Sequence, residues 1–186
     1  MTATKIIVIA ALLALQGCAD GMLAGLRKSP ELPDTQKPAR GVAIRLHASP
    51  NLNAGAGGQP LALATRIYKL RQPAAFQRIA FDGFLSQHSE RELLGNDLLE
   101  VKEVMLIPGQ RYEIVEKVTR EAYYIGVVAL FRTPAENRWR LVFAAADGEK
   151  SGITVGLHAC ALSAGAGADP ITASDAGNPL ATLRCK

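Results

Sequence analysis

Aromatic residues are scarce in this chain, at 5% of 186 residues with a single Trp, and there are only three His and three Cys. So few soft or imidazole ligands leave little material for a metal cluster or a Cys–His centre. Runs of like charge are missing too: the 21 basic and 17 acidic side chains are scattered, and no five of one sign are consecutive. A nucleic-acid surface needs a basic stripe, so nucleic acid is set aside as a partner despite a pI near 9.1. The apolar run at 6–15 (IIVIAALLAL) is ten residues long, half of the roughly 20 that a helix needs to cross a bilayer. What the chain does have is a hydrophobic content of 48%, with 17 Gly and 10 Pro. That composition excludes a disordered or collagenous polymer and fits one ordinary domain with a real core.

The amino terminus has the order of an export signal: a polar start with Lys5, the short apolar core, then Leu15, Gln16 and Gly17 leading into Cys18. This junction resembles the lipobox of bacterial lipoproteins. The resemblance implies a diacylglyceryl group on the Cys18 thiol, cleavage after Gly17 and acylation of the new amine. Each buried CH₂ adds about 0.8 kcal/mol, so two or more chains make a durable anchor. Ala19, not Asp, follows the cysteine, which by similarity to enterobacterial lipoproteins implies the outer membrane, with the body facing the periplasm. Residues 1–17 are then a signal peptide. Residues 18–40, broken by Pro30, Pro33 and Pro38, form a tether, and 41–186 form the folded domain.

With Cys18 lipidated, Cys160 and Cys185 remain as an even pair in an exported protein, where a disulfide is favoured. Closing a loop of that size is worth roughly 3.5 kcal/mol by chain entropy. A zinc site is the rival reading, but neither cysteine has a CxxC or HxxxH neighbour.

From residue 41 the dominant period is two, the mark of half-buried strands. Val42, Ile44, Leu46 and Ala48 alternate with wetter residues; Leu63, Thr65 and Ile67 share one side. Strands at 101–107 and 112–118 flank Pro108-Gly109, a strong turn signal. The stretch 123–131 (YYIGVVALF) is apolar on both faces, which predicts a central strand covered twice. Trp139, Leu141 and Phe143 are expected inward from 138–145. The next strand, 153–162, has Ile153, Val155, Leu157 and Ala159 inward, and a tail strand is expected around 181–185. Residues 73–99 break the period and read as two or three short helices. Pro73 suits a first turn, Asp82 an N-cap, Ser89 with Glu92 a capping box and Gly95 a C-cap. Short strands in this number predict a mainly β, two-sheet sandwich with a helical insertion at about 73–99.

Catalytic patterns are missing. There is no GxSxG elbow for Ser86, Ser89 or Ser151, and His47, His88 and His158 are far apart. Gly55-Ala-Gly57 and Gly165-Ala-Gly167 imitate a dinucleotide loop, but Pro60 and Pro170 occupy the third glycine position. Asp97, Glu100 and Glu103 read as a solvated face rather than paired catalytic carboxylates. The chain is expected to be no enzyme, with no catalytic residues, no cofactor and no metal.

The series SPNLN, TRIYKL, then Phe76 and Phe81 with Asp82 and Leu85, LLGNDLL, LIPG, YYIGVVALFR and WR occurs in one order between about residues 47 and 142. That series resembles the TssJ family, outer-membrane lipoproteins of the type VI secretion system. The resemblance implies a transthyretin-like β-sandwich with an added helical segment. It implies a structural role as well, anchoring the trans-envelope complex by holding the periplasmic part of the inner-membrane protein TssM, in a complex that also contains TssL. The family's first inter-strand loop contributes to that contact; here it is 49–61, with Asn51, Leu52, Asn53 and Gln59, and Leu52 as its apolar point. Plain turn chemistry explains Asn51 and Asn53 equally well, because Asn tolerates left-handed backbone. A different class stays open beside it: a periplasm-facing lipoprotein that binds a small ligand or an enzyme through the same loops.

Overall fold

The computed structural model describes residues 31–54, 58–171 and 185. The signal peptide, Cys18, Gly55-Ala-Gly57 and the expected tail strand (Cys185 excepted) lie outside the described residues. Asp34–Lys186 forms one compact unit; of the other unit, Met1–Pro33, only 31–33 are described.

Alternation builds the first sheet as expected. Strand β1 (Arg40–Ala48) buries Val42, Ile44, Leu46 and Ala48 and leaves the residues between them wetter. It pairs antiparallel with β4 (Arg111–Val118) and parallel with β7 (Ile153–Leu157), and β8 (Leu162–Ala164) adds to β7, giving the order β4-β1-β7-β8. The second sheet has the order β3-β2-β5-β6, from β2 (Leu63–Leu70), β3 (Leu98–Leu106), β5 (Tyr124–Ala129) and β6 (Arg140–Ala144). The twice-covered strand is β5, buried at every position after Tyr124.

The helical segment comprises α1 (Ala74–Arg78), a 3-10 turn (Phe81–Phe84), α2 (Gln87–Leu94) and a second 3-10 turn (Gly95–Asp97). It covers the outer face of the second sheet. Tyr68 of β2, Phe76 and Phe84 meet edge to face, with ring centroids 5.1, 5.8 and 5.3 Å apart. The Phe76 ring lies flat on Gly126: a Cβ there would fall 2.6 Å from its Cζ. This cover is why β2 is buried on both faces, beyond the single side that Leu63, Thr65 and Ile67 indicate.

Several local expectations are corrected. Asp82 sits inside the 3-10 turn, whose N-cap is Ala80. Helix α2 starts at Gln87, so the hydroxyl positioned to accept from Ser89 N is that of Ser86, and Ser89 is internal. Gly95 does cap α2, at φ 49°. Trp139 precedes β6 and packs against Phe81 and Phe84 of the helical segment, at 5.2 and 5.4 Å. Strand β7 stops at Leu157, because His158 N turns back to Ala161 O (2.9 Å) and β8 begins at Leu162. Helix α3 (Ala145–Ser151) has no counterpart in the sequence reading.

Beyond β8 the chain crosses to the other sheet: Pro170 bridges Phe143 of β6, and Ile171 N donates to Val142 O at 2.7 Å. The start of the compact unit lies within the stretch read as tether. The Tyr123 hydroxyl donates to the Asp34 carboxylate, and Arg120 Nε donates to Pro38 O at 2.9 Å. Tyr123 and then Lys37, by their hydrogen bonds, hold the Asp34 carboxyl below its ordinary range.

Candidate partner-binding rim

Strand β1 fixes two poles. Its first residue, Arg40, lies opposite Val118, near Tyr123 and Arg120; eight residues later it ends at Ala48, roughly 27 Å away at strand rise. At this far end, the rim, the β1–β2 loop, the β3–β4 turn and the turn after β7 are tied together. Ala48 N donates to Gln110 O (2.9 Å), Gly109 N to Ser49 O (3.2 Å), Ser49 N to Leu157 O (2.8 Å) and Asn53 N to His158 O (3.1 Å).

The four loop residues singled out from sequence divide into two pairs. Asn51 is exposed, its Oδ1 accepting from Ser49 Oγ at 2.6 Å, and Gln59 is exposed. Leu52 is fully buried and joins the sandwich core, so it offers no apolar point to a partner. Asn53 is buried as well: its Nδ2 donates to Ala62 O (3.0 Å), and its Oδ1 accepts from Arg132 N (2.8 Å). Its φ of 52° suits Asn, so turn chemistry accounts for Asn53 while Asn51 and Gln59 remain accessible. Replacing Asn53 with Ala breaks both bonds inside a buried site and adds a left-handed Ala. A loss of about 2–3 kcal/mol in urea denaturation is expected, against less than about 0.5 kcal/mol for Asn51→Ala.

The exposed apolar groups at the rim are others: Leu61, Met105 and Ile107. Met105 on β3 and Ile107, just past its end, continue the outward alternation, which the period-two pattern of the sequence carries.

Cys160 and Cys185 are joined by a disulfide in the structure, with Cα atoms 5.7 Å apart, packed with Ala135 and Ala161. The bond lies at the rim, where Ala135 N donates to Cys160 O at 2.8 Å.

The buried charged side chains Arg66, Lys69, Glu90 and Glu116 are engaged in structural pairs. Arg66 of β2 is buried and donates to Glu90 (2.6 Å), Phe84 O (2.7 Å) and Glu103 (2.8 Å), fastening α2 to the sheet. Burial raises the Glu90 carboxyl above its ordinary range, with Arg66 opposing. Lys69 and Lys102 converge on buried Glu116 of the facing sheet at 3.2 and 2.7 Å. Burial alone would raise the Glu116 carboxyl, but the two ammonium groups outweigh it and hold it low. Glu100 and Glu103 bond Lys69 and Arg66 on opposite faces of β3, so they do not form a carboxylate pair. His88 pairs with Glu92 on α2. His158 Nε2 lies 2.9 Å from Ser163 Oγ, and burial lowers its pKa. Among the described residues no group of three His, Cys, Asp or Glu side chains is placed to hold a metal.

A two-sheet body whose buried charges are paired internally, and whose loops are tied together at one rim, defines a scaffold-type β-sandwich. Residues 40–160 match the family described as "Type VI secretion lipoprotein, VasD, EvfM, TssJ". The match spans well over half of the chain, which therefore belongs to this family of structural lipoproteins. Among solved structures, the type VI secretion lipoprotein TssJ1 from Pseudomonas aeruginosa is 31% identical, covering 69% of this chain and 97% of that one with a TM-score of 0.61. Serratia marcescens Lip, described as a membrane-bound component of the type VI secretion system, is 22% identical over 71% and 97%, with a TM-score of 0.59. A chain in a structure described as the TssM C-terminal domain from EAEC is 23% identical over 67% and 97%, with a TM-score of 0.56. The latter two show the fold alone. The fold is the transthyretin-like sandwich of TssJ. No curated protein sequence matches.

Proposed function

We propose that this chain is a non-catalytic lipoprotein, acylated at Cys18 in the outer membrane, that holds the outer end of the type VI trans-envelope complex by gripping the periplasmic part of TssM, with TssL in the same assembly. The observation that carries this reading is the pair of poles. The compact unit begins at Asp34, beside Tyr123, whereas Asn51 and Gln59 lie at the other end of β1. Force on the rim is therefore borne along the strands, whose hydrogen bonds load together. Sixteen residue steps separate Cys18 from Asp34, a reach of at most roughly 55 Å, enough to let the body stand off a leaflet.

The family match supports the secretion system, and the neighbour named for the TssM C-terminal domain supports the partner. Changing Cys18 to Ser should move the protein from the membrane to the soluble periplasmic fraction and abolish type VI secretion, with its melting temperature unchanged. Affinity capture of the wild type from solubilised membranes should recover TssM. Secretion at the wild-type rate by a stable, unlipidated variant overturns the reading.

A further inference from the structure

Strand β3 is an edge of the second sheet, and its outward row is Leu99, Val101, Glu103 and Met105, with Ile107 next in the alternation. Leu99 and Val101 are half-buried and pack against the core, and Glu103 is engaged by Arg66. Past that point the row is bare: Met105 is 58% and Ile107 59% exposed. Ala64 lies directly opposite Met105, and Leu61, 40% exposed, precedes it on the same chain. On β4, the edge of the first sheet, the outward row is Arg111, Glu113, Val115 and Lys117, so its one exposed apolar side chain is flanked by charges, the usual guard of an edge against unwanted contacts. A lone exposed aliphatic side chain is ordinary, but Met105 and Ile107 stand two residues apart in one outward row, and Leu61 lies just before the strand end that pairs with them.

This corner is held rigid and joined to the loop. Ile107 N donates to Gln110 Oε1 at 2.9 Å, Gly109 N donates to Ser49 O at 3.2 Å, and Leu61 N donates to Leu52 O at 2.9 Å. The patch is thus continuous with the loop that carries Asn51 and Gln59.

We infer that Leu61, Met105 and Ile107 form the apolar half of the partner-binding surface, taking aliphatic or aromatic side chains from the same periplasmic domain that the loop engages. The inference rests on the function proposed above. A protein is the occupant because the patch adjoins the exposed amides of the loop and is bordered by the carboxylate of Glu103, 43% exposed. An anionic lipid surface would be repelled by that carboxylate, which shares the outward row with Met105. Apolar anchors flanked by polar groups are the usual pattern of a binding hot spot.

The test uses the full-length acylated protein in detergent and, as probe, the purified periplasmic domain of TssM from the same bacterium. Met105→Asp and Ile107→Asp should each keep the wild-type melting temperature and weaken binding by about tenfold or more. Leu85→Asp and Val115→Asp, at exposed apolar positions away from the corner, should stay within about twofold. Where an Asp variant fails to fold, Met105→Ser and Ile107→Ser remove the same apolar contact. Folded corner variants that bind like the wild type, while an Asn51→Ala/Gln59→Ala double variant weakens binding, overturn the corner and leave the proposed function standing. Equal weakening by the Leu85 and Val115 variants also overturns it, as a general effect of added charge. A wild-type protein that does not bind the probe overturns the proposed function and the corner with it.

Discussion

The Arg66→Met variant should lose about 3–5 kcal/mol of stability at pH 8, the usual cost of breaking a buried ion pair from one side. One guanidinium serves Glu90, Glu103 and the carbonyl of Phe84, and Glu90 is only 2% exposed. Without Arg66, Glu90 either stays charged in an apolar setting or takes up a proton, so the deficit should depend on pH. Burial already holds the Glu90 carboxyl above its ordinary 4.5, against the pull of Arg66, and removing that cation raises it further. A carboxyl whose folded pKa exceeds its unfolded pKa binds a proton on folding, so stability falls as pH rises between the two values. The deficit is therefore smallest near pH 5 and largest at pH 8. Glu116 titrates in both proteins and cancels in the difference. Urea denaturation at the two pH values reads this directly; an equal deficit at both would show that Arg66 contributes packing rather than charge.

Gly126→Val should cost about 3 kcal/mol or more, for a reason of shape alone. A Cβ at this position falls 2.6, 2.9 and 3.0 Å from three atoms of the Phe76 ring. The ring cannot retreat, because Tyr68 and Phe84 pack edge-on against it and Arg140 holds the Phe76 carbonyl at 3.1 Å. The valine therefore displaces Phe76 and with it the docking of α1 on the sheet. Phe76→Ala alone costs about 3–5 kcal/mol through the cavity it leaves. The double variant should lose at least about 1 kcal/mol less than the two single losses combined, since the added methyl groups enter the space the ring vacates. Strict additivity in thermal or urea unfolding would mean that the two positions are not in contact.

The sandwich was readable because its strands repeat a simple rule. Val42, Ile44 and Leu46 alternate cleanly, and the run at 123–131 is apolar on both faces because β5 has the opposite sheet on one side and the helical segment on the other. The family series was legible for the same reason, since its pieces are the core strands and their turns. What escaped depends on contacts distant in sequence. Leu52 reads as a loop residue by its neighbours, yet the loop folds back and Leu61 N bonds its carbonyl, turning its side chain into the core. Arg66 and Lys69 look like surface charges until the helical segment and the facing sheet cover them. Helix α3 is seven residues of mixed character with no apolar stripe, closed by Gly152 at φ 74°; nothing local marks it. At the candidate site, the sequence could not say which side chains of the 49–61 loop face outward, because that depends on how the loop folds back on the sandwich.

The carboxyl-terminal stretch lies past residue 160, where the family match ends. It supplies β8 to the border of one sheet and lays Pro170 and Ile171 along β6, the border of the other. The open border of the first sheet on that flank is thereby reduced to the three residues of β8, too short a ladder to offer a foreign strand much purchase.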